Sequence, residues 1–474
     1  MRKTKIICTL GPASESEEML DKLILAGVNI FRLNMSHAPH DWVREVTARI
    51  HKVAEQRQAA IGILLDTQGP AIRTGDLPTK LDLKVGDTFQ FTVRGFKSEE
   101  VYSVDTNYDD LVKDVKVGDV VLVDNGVIHM VVVEKNAQVL KCQVLTPGTL
   151  GNRRHINLPG VKVNLPPLTE KDLEDLDVGL ECGVDFVALS FVREANDISI
   201  LRQVLASHGK NHVKIVAKIE DQLAVRHIDE IVHAADGIMV ARGDLGIECP
   251  YEELPIIQRA IVKKCLSQSK PVIVATHMLE SMIQNPVPTR AEITDVANAV
   301  FESADAIMLS GETTVGKYPV ECVKVLDKVA RRIERSGNLG MHSSIQIVSH
   351  EHATIASAIN LADKIGADGI CIFTISGNKA ALCAALRPRH TPIFTFTPTK
   401  HLPFQLTLRY GVYAFPIVLQ EDPERTIFDA QNILLMHNFI QDNSTLVILS
   451  DILSRGEKIL TVQLRTVKKP ALPK

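Results

Sequence analysis

Eight short runs of apolar and mostly β-branched residues recur along the chain, and most are followed by a stretch with helical periodicity. Runs that are apolar throughout indicate strands buried on both faces, as in a parallel sheet. Helix starts lie between them, with capping boxes at 14–17 and 289–292 and a related pattern at 169–172. Eight strand–helix repeats predict a (β/α)8 TIM barrel of the α/β class. The runs span residues 5–10, 28–33, 61–66, 186–190, 213–218, 237–241, 271–276 and 305–310.

Residues 67–185 interrupt this rhythm between the third and fourth runs. The interval is rich in Val, Thr, Gly and Asp, and its short alternating segments are separated by Gly-Asp and Asn-Gly turns. We predict an all-β, barrel-like insertion at 75–162, with the catalytic barrel formed by 1–74 plus 163–338. The alternation of helices and strands that follows predicts a small open α/β domain at 339–474. Its expected helices are 352–364 and 378–386, and its expected strands are 369–374, 392–396, 445–450 and 458–464.

Composition and charge argue against several classes of function. Aromatic residues are 4% of the chain and the net charge is −4 without a long basic run, which disfavours nucleic-acid binding. No apolar run approaches the roughly 20 residues of a membrane span, and the N-terminus has neither an apolar signal core nor a cleavage site. The eight cysteines are scattered singly, so we expect them to be reduced and buried. We therefore predict a cytoplasmic protein that binds neither nucleic acid nor membrane.

Polar residues follow the predicted strands at their carboxyl ends, which is the end of a TIM barrel that carries the active site. Lys218 and Glu220 end the fifth strand, two residues apart and hence on one face, and Asp244 follows the sixth strand. Two carboxylates plus substrate oxygens suit Mg²⁺, and the adjacent lysine supplies a positive charge for transferring phosphoryl oxygens. The other polar residues at this end are Arg32, Asn34, Ser36, Asp66, Thr67, Arg73, Arg242, Gly243, Thr276 and 310–313.

Taken alone, each of these features has an ordinary structural explanation. A lone Lys-x-Glu at a strand end is usually a solvated ion pair, and a lone Arg-Gly-Asp is usually a turn. Their shared position at one end of the predicted barrel is what indicates an active site for magnesium-dependent phosphoryl transfer. Arg32 and Arg73 can bind phosphate there, and the backbone near Gly243 can approach a carboxylate closely because glycine lacks Cβ.

Eight segments follow one another along the chain at 4–14, 32–37, 65–70, 218–220, 241–246, 275–282, 288–292 and 308–313. Together they resemble the pyruvate kinase family. The similarity covers the barrel and the insertion throughout and the C-terminal domain more loosely. It implies transfer of a phosphoryl group from phosphoenolpyruvate to ADP, giving pyruvate and ATP in glycolysis. It also implies Mg²⁺ or Mn²⁺ as cofactor, a homotetramer, and a lid role for the insertion, since a lid excludes water from phosphoryl transfer.

The resemblance also implies roles for single residues in the phosphoryl transfer. Glu220 and Asp244 would hold the divalent ion, Lys218 would stabilise the transferring phosphoryl group, and Arg32 would contact that group. The positions that match nucleotide-contacting residues are His37, Arg73 and Arg154.

For the substrate carboxylate, the resemblance implies a cradle of Gly243, Asp244 and Thr276. Thr276 would also lie near the path by which the enolate gains its proton. Potassium-dependent members usually carry Lys and Glu where this chain has Gln68 and Ala71, so a negative charge is lost there. We nevertheless expect K⁺ to activate. Its ligand positions would be Asn34, Ser36, Asp66 and Thr67.

The C-terminal domain carries a segment similar to the sugar-phosphate loop of allosteric members. Asn378 stands where an Arg is common, and the final loop at 450–457 lacks the usual glycine-rich form. We expect allosteric activation by a phosphorylated metabolite. The effector residues would be Thr374, Ser376, Gly377 and Lys379.

Two alternatives remain open from the sequence. A Schiff-base aldolase on the same barrel would use Lys218 as its nucleophile, although Glu220 and Asp244 suit a metal better. A non-catalytic regulatory member of the family would be expected to have lost some of Lys218, Glu220, Asp244 and Thr276, and all four are present.

Overall fold

The structure, a computed structural model, describes residues 1–96, 98, 100, 102–337, 339–340, 345–454 and 457–468. Part of the predicted loop at 450–457 thus lies outside the described residues. The strands are β1 (Lys5–Thr9), β2 (Ile30–Asn34), β3 (Gly62–Asp66), β4 (Leu81–Leu83), β5 (Thr88–Thr92), β6 (Ser103–Asp105), β7 (Val120–Val123), β8 (Ile128–Lys135), β9 (Val139–Val144), β10 (Gly148–Leu150), β11 (Ile156–Asn157), β12 (Phe186–Leu189), β13 (Lys214–Ile219), β14 (Gly237–Ala241), β15 (Val272–Ala275), β16 (Ala306–Leu309), β17 (Gly369–Phe373), β18 (Ile393–Thr397), β19 (Val412–Pro416), β20 (Thr445–Ser454) and β21 (Glu457–Thr466).

The α-helices are α1 (Glu17–Ala26), α2 (His40–Gln56), α3 (Leu111–Asp114), α4 (Glu170–Glu181), α5 (Ala195–Ser207), α6 (Gln222–Arg226), α7 (Ile228–Ala234), α8 (Arg242–Glu248), α9 (Leu254–Ser267), α10 (Arg290–Phe301), α11 (Gly311–Thr314), α12 (Pro319–Ser336), α13 (His350–Ile365), α14 (Asn378–Ala385), α15 (Leu402–Gln405) and α16 (Pro423–Met436). Short 3-10 helices span Glu280–Ile283 and Leu406–Leu408. Within the described residues, no helix combines the length and the apolar character needed to cross a membrane.

The eight predicted strands pair in parallel and close into a barrel, in the order β1-β16-β15-β14-β13-β12-β3-β2. Alternate residues of each strand face opposite ways. Ile7 and Ile30 belong to a cluster inside the barrel, whereas Ile6 and Phe31 pack beneath the surrounding helices. Both faces are buried, which is why the runs are apolar throughout. The predicted fold class is confirmed.

The insertion after β3 folds around its own core. One sheet has the order β11-β7-β8-β9-β5-β6, and β10 pairs with β4 in a second, smaller sheet. Phe89 and Phe91 are fully buried there, with ring centroids 5.0 Å apart. Asp124 and Asn125 form the predicted turn with positive φ angles of 55° each. The prediction of an all-β segment holds except for the four-residue helix α3.

The C-terminal strands form one sheet, in the order β19-β18-β17-β20-β21, in which β21 alone is antiparallel to its neighbour. The four predicted strands and two predicted helices are present. The prediction missed β19 and α16. The segment of β19 ends in a proline, which is atypical of strand interiors, and α16 begins with Pro423 after an Asp422 N-cap, a helix start that the sequence does carry.

The helix starts are partly as predicted. Thr169 and Thr289 form full capping boxes with Asp172 and Glu292. The prediction for 14–17 was wrong by two residues, because α1 is capped by Ser16. The hydroxyl of Ser14 instead accepts a hydrogen bond from Gly11 N at 3.2 Å, within the preceding turn.

The C-terminal domain covers the amino-terminal end of the barrel. Leu408 belongs to the cluster that fills the barrel interior. Asp305, just before β16, accepts hydrogen bonds from Arg387 at 2.7 Å and from Tyr410 N at 3.0 Å, and the pair with Arg387 is buried. A buried ion pair whose lone pairs are satisfied fixes the geometry of such a junction more than it adds stability.

Asp185, immediately before β12, is a buried carboxyl group whose ionisation the fold opposes. Its Oδ2 accepts a hydrogen bond from Ile63 N at 2.9 Å, and burial raises its pKa to about 7. The unfolded chain releases this proton near pH 4, whereas the folded chain keeps it until about pH 7. The folded state therefore loses stability as the pH rises through this window.

We expect the melting temperature of Asp185→Asn, compared with that of the native chain, to increase as the pH rises from about 5 to about 8. The reason is that Asn keeps the hydrogen-bond acceptor and does not ionise. Each kcal/mol corresponds to about 2–4 °C for domains of this size. Asp185→Ala, which removes the acceptor of Ile63 N–H, should lower the melting temperature at every pH. Calorimetry across pH makes the comparison, and a pH-independent difference between Asn variant and native chain would contradict the assignment.

Candidate active site

A single ammonium group connects the residues at the carboxyl end of the barrel. Lys218 in β13 is 9% exposed, and its Nζ lies 3.0 Å from Asp66 Oδ1, 3.0 Å from Glu220 Oε1 and 2.7 Å from Ser190 Oγ. Burial alone would lower the pKa of Lys218, but Asp66 and Glu220 raise it above its ordinary value. The lysine is a fixed positive charge. This argues against the Schiff-base alternative, because such a nucleophile must be neutral to attack.

Asp66, at the end of β3, links this lysine to Arg32. Its Oδ2 accepts a hydrogen bond from Arg32 Nε at 2.6 Å, while Oδ1 faces Lys218. Burial would raise the pKa of Asp66, but Arg32 and Lys218 hold it below its usual value. Arg32 Nη1 also donates to Thr9 Oγ1 at 3.0 Å. Strands β1, β2, β3 and β13 thus hold two cations around one carboxylate.

Glu220 follows β13 and carries the second carboxylate of the cluster. It is 2% exposed, and its Oε2 accepts a hydrogen bond from Phe191 N at 2.7 Å. Burial raises the pKa of Glu220 to about 7, Lys218 opposes that shift, and the negative charge of Asp244 adds to it. Although Lys218 lies beside it, the pKa of this buried carboxylate stays raised, so its negative charge is not fully compensated.

The donor set fits a hard divalent cation. Glu220 and Asp244 offer carboxylate oxygens, which are the ligands that Mg²⁺ prefers, and a cation between them would offset the repulsion between the two groups. Among the residues that the structure describes, no group of three or more His, Cys, Asp and Glu side chains is placed to hold a metal. Two carboxylates leave further coordination positions for substrate oxygens and water, as is usual for Mg²⁺.

Thr276 follows β15 and faces the start of α8. Its Oγ1 accepts a hydrogen bond from Gly243 N at 2.8 Å and donates to Ala275 O at 2.6 Å. Its φ is +69°, a conformation that is uncommon for a β-branched residue and is concentrated at functional sites. A Cβ on Gly243 would meet Thr276 only at ordinary contact distance, 3.7 Å, so the protein itself does not require glycine there. The glycine leaves room for a ligand.

Arg242 holds this turn in place, a role that the sequence did not indicate. Its Nη2 donates to Thr276 O at 2.6 Å and its Nε donates to Ala275 O at 3.1 Å. The guanidinium also pairs with Asp295 of α10, at 2.6 and 2.8 Å. In the sequence, the Arg-Gly-Asp motif placed Arg242 at a strand end, but its partner Asp295 is evident only in the fold.

In the described part of the chain, none of the three predicted nucleotide-contacting residues forms a hydrogen bond or ion pair with the Lys218 cluster. His37 is exposed on the loop after β2. Arg73 and Arg154 lie side by side at the base of the insertion, where Thr74 N donates to Arg154 O at 2.8 Å. Arg154 Nη1 is 3.2 Å from Asp124 Oδ1. No contact within the described ranges joins His37 to either arginine.

A cleft separates the base of the insertion from the barrel rim, and Glu220 lies in its wall. Asn157 of β11 donates to Glu248 Oε1 at 2.9 Å across this cleft, and its own Oδ1 is buried without a partner in the described part of the chain. Burial raises the pKa of Glu248 to about 7. Sequence reasoning missed Asn157 and Glu248, because neither stands at the end of a predicted barrel strand. It also missed Ser190, although Ser190 ends the fourth run.

Two of the predicted potassium ligands, Asn34 and Asp66, end the neighbouring strands β2 and β3, and Ser36 and Thr67 follow those strands. Asn34 and Asp66 are register partners in that pair, and Asn34 Oδ1 accepts a hydrogen bond from Ser36 N at 3.3 Å. Thr67 Oγ1 is engaged with β12, since it donates to Ala188 O at 3.2 Å. Gln68 N donates to buried Asp172 at 2.9 Å.

The predicted effector loop joins β17 to α14. Thr374 Oγ1 accepts a hydrogen bond from Gly377 N at 2.9 Å, and Ser376 Oγ accepts one from Asn378 N at 3.4 Å. Lys379 is 6% exposed, and its Nζ lies 2.5 Å from Asp451 Oδ1. The positive charge of the loop is therefore already paired with a carboxylate.

Comparison with known families identifies both the barrel and the C-terminal domain. A family model described as pyruvate kinase, barrel domain, matches residues 1–323. A second model, described as pyruvate kinase, alpha/beta domain, matches residues 352–458.

Individual relatives are similar over most of their length. A pyruvate kinase of Sporosarcina psychrophila is 44% identical over 437 residues, which cover 88% of this chain and 72% of the relative. The chloroplastic pyruvate kinase isozyme G of Nicotiana tabacum is 41% identical over 452 residues, covering 93% and 79%. The crystal structure of a pyruvate kinase from Cryptosporidium parvum matches with a TM-score of 0.92 at 35% identity, covering 99% of this chain and 96% of that one.

Proposed function

Because the chain belongs to the pyruvate kinase family, we propose which of its residues carry the reaction of that family. The enzyme transfers the phosphoryl group of phosphoenolpyruvate to ADP, giving pyruvate and ATP, and its general role is in glycolysis. One observation carries the assignment of residues. The Lys218 ammonium is fixed between Asp66, Glu220 and Ser190 at the carboxyl end of the barrel.

Lys218 and Arg32 stabilise the phosphoryl group during its transfer. The transferred group spreads negative charge over its equatorial oxygens, so fixed cations beside it lower the barrier. Both cations are held in place by Asp66, which keeps their charges from moving when substrate binds. Preorganised charge of this kind needs no rearrangement at the moment of reaction.

Glu220 and Asp244 would hold Mg²⁺, or Mn²⁺, through their carboxylate oxygens. The ion would supply positive charge that offsets the negative charge developing during phosphoryl transfer. Burial and the charge of Asp244 oppose the ionisation of Glu220 even though Lys218 lies beside it, so a further positive charge would stabilise its carboxylate. The residues themselves supply a rigid, partly enclosed pair of ligands, one held by Phe191 N and one carried at the start of α8.

Gly243, Asp244 and Thr276 cradle the carboxylate of phosphoenolpyruvate, and Thr276 lies on the path of the proton that the enolate takes up. The support is the turn in which Thr276 Oγ1 accepts a hydrogen bond from Gly243 N and Arg242 fixes the Thr276 carbonyl. A hydroxyl held by backbone contacts is positioned to relay a proton.

His37, Arg73 and Arg154 contact the nucleotide. Arg73 lies at the junction between barrel and insertion, and Arg154 lies within the insertion, whose closure would carry Arg154 over the cleft. We propose that the insertion, 75–162, is a lid that excludes water from the reaction. The barrel would then comprise 1–74 plus 163–338, and the C-terminal regulatory domain 339–474.

We also propose K⁺ as an activating ion, held by Asn34, Ser36, Asp66 and Thr67 at the ends of β2 and β3. The register pairing of Asn34 with Asp66 brings their side chains to one place. Ala71 contributes no charge there, so the site would depend on Asp66 for its negative charge.

The remaining proposals concern regulation and assembly. A phosphorylated metabolite would act at Thr374, Ser376, Gly377 and Lys379, which lie at the start of α14. The homotetramer would follow the assembly of the family. A cytoplasmic location is supported by eight free cysteines, seven of them buried, as expected in a reducing compartment. Cell fractionation and light scattering test the last two proposals.

Lys218→Met should reduce kcat by on the order of a hundredfold to a thousandfold, because a fixed charge at the transferring group is lost. The measurement is pyruvate formation in a coupled assay, with Mg²⁺ and with a chelator in its place. The chelator should abolish activity of the native enzyme. Lys22→Met, at an exposed lysine paired with Glu18, is the matched control and should be unaffected. Full phosphoryl transfer without added metal would refute the roles of Glu220 and Asp244.

Thr276→Val should lower the rate of proton exchange at the pyruvate methyl group more than it lowers phosphoenolpyruvate binding, because the hydroxyl is lost while the volume is kept. Thr276→Ser should retain most exchange, since it keeps the hydroxyl and relieves β-branching at positive φ. Exchange into deuterated water, followed by NMR, measures this step separately. Equal exchange in the Val and Ser variants would rule out a role for the hydroxyl.

Activity should be several-fold higher in KCl than in tetramethylammonium chloride at the same ionic strength. Ser36→Ala should weaken the response to K⁺ and leave the rate in tetramethylammonium unchanged, because it removes one oxygen ligand without touching the Lys218 cluster. Equal rates of the native enzyme in the two salts would contradict the proposal that K⁺ activates it.

A further inference from the structure

A second polar cavity lies at the end of the barrel opposite to the active site. It is enclosed by the amino-terminal ends of β12 to β15 on one side and by the C-terminal domain on the other. The loop before α14, with Ser376 and Asn378, forms part of its wall. The cavity therefore joins the catalytic barrel to the domain proposed to be regulatory.

This cavity is rich in positive charge, with two cations from the barrel and one from the C-terminal domain. Lys214, Lys270 and Arg409 line it, together with the carboxylates Asp236 and Glu351. Asp236 is already paired with Arg202, at 3.2 Å, and accepts a further hydrogen bond from Ile215 N. One carboxylate is thus left to oppose three cations.

The three cations differ in how far they are already satisfied. Lys270 Nζ donates to His233 O at 3.2 Å and to Ala235 O at 2.5 Å. Arg409 Nη1 donates to Ser269 O at 2.5 Å. Lys214, the first residue of β13, makes no hydrogen bond or ion pair with its Nζ inside the described part of the chain. It is the cation with the most capacity for a ligand.

The charge of Lys214 also acts on two histidines that join the domains. His212 of the barrel and His401 of the C-terminal domain stack with ring centroids 4.5 Å apart. Burial lowers the pKa of His401, and the charge of Lys214 lowers it further. Burial also lowers the pKa of His212, and the charges of His401, Lys210 and Lys214 add to this shift. Gln405 Nε2 donates to His212 O at 2.7 Å and ties the two sides together.

The loop before α14 offers hydrogen-bonding groups without free charge of its own. Asn378 is neutral, and the Lys379 ammonium is paired with Asp451. Gly377, with φ +87°, turns the backbone into the helix. An anion at this loop would find its compensating charge on Lys214, across the cavity, and on Arg409.

We infer that this interdomain cavity binds a small phosphate-bearing anion, with Lys214 of the barrel and Arg409 of the C-terminal domain supplying the charge and Ser376 and Asn378 supplying hydrogen bonds. The inference rests on the proposed allosteric function and changes its site. The ligand bridges barrel and C-terminal domain, instead of lying within 374–379 alone. Such a ligand stabilises the arrangement of the two domains in which groups from both the barrel and the C-terminal domain contact it.

The test is calorimetric titration of the full-length enzyme with inorganic phosphate and with ribose 5-phosphate, in saturating phosphoenolpyruvate and Mg²⁺ to block the active site. Lys214→Met should weaken binding by on the order of tenfold, since one charge-assisted contact is lost. Lys214→Arg should restore it. Lys22→Met is the control for removal of an exposed lysine, and the melting temperature of each variant reports its folding.

The outcomes separate this inference from the broader allosteric proposal. Weaker binding in Lys214→Met, with a lost response of the phosphoenolpyruvate rate curve to the same probe, supports the interdomain site. Unchanged binding in Lys214→Met together with loss in Ser376→Ala would overturn the interdomain site and leave an effector confined to the loop. If neither probe binds while phosphoenolpyruvate occupies the active site, both the interdomain site and the broader allosteric proposal are wrong.

Discussion

Closure of eight parallel strands into one barrel is the constraint on which the rest of this structure depends. It buries both faces of every strand, and it brings the carboxyl ends of all eight to one rim. Lys218 and Asp66 come from distant parts of the chain, yet their charged atoms lie 3.0 Å apart because β13 and β3 flank β12. The insertion and the C-terminal domain attach at opposite ends of this barrel, so one borders the chemistry and the other does not.

Two cations and three carboxylates lie at the rim, so negative charge is in excess there until a further cation binds. Arg32 and Lys218 offset Asp66 and Glu220, and each contact is short enough to fix the side chains. Asp244 adds a third carboxylate, and its effect on Glu220 is unfavourable unless a positive charge binds between them. The same arrangement that orients the phosphoryl-binding cations therefore creates the site for the divalent ion.

How much could be predicted followed from the range of each interaction. The apolar runs predicted all eight barrel strands, because burial on both faces makes nearly every residue of such a strand apolar. The capping boxes at Thr169 and Thr289 were equally local and were found. The box at 14–17 was misplaced because Ser14 and Ser16 compete for the same role, and only the preceding turn at Gly11 decides between them.

The sequence by itself determined the fold class, the family and the residue types that stand at the strand ends, since these depend on periodicity and on motifs within a few residues. The tertiary structure decided which of those residues touch. The pairing of Arg242 with Asp295, the hydrogen bond from Asn157 to Glu248 and the cavity beside Lys214 all join segments that are remote in sequence. No local pattern encodes such contacts, because a side chain's partner is set by the path of the backbone between them.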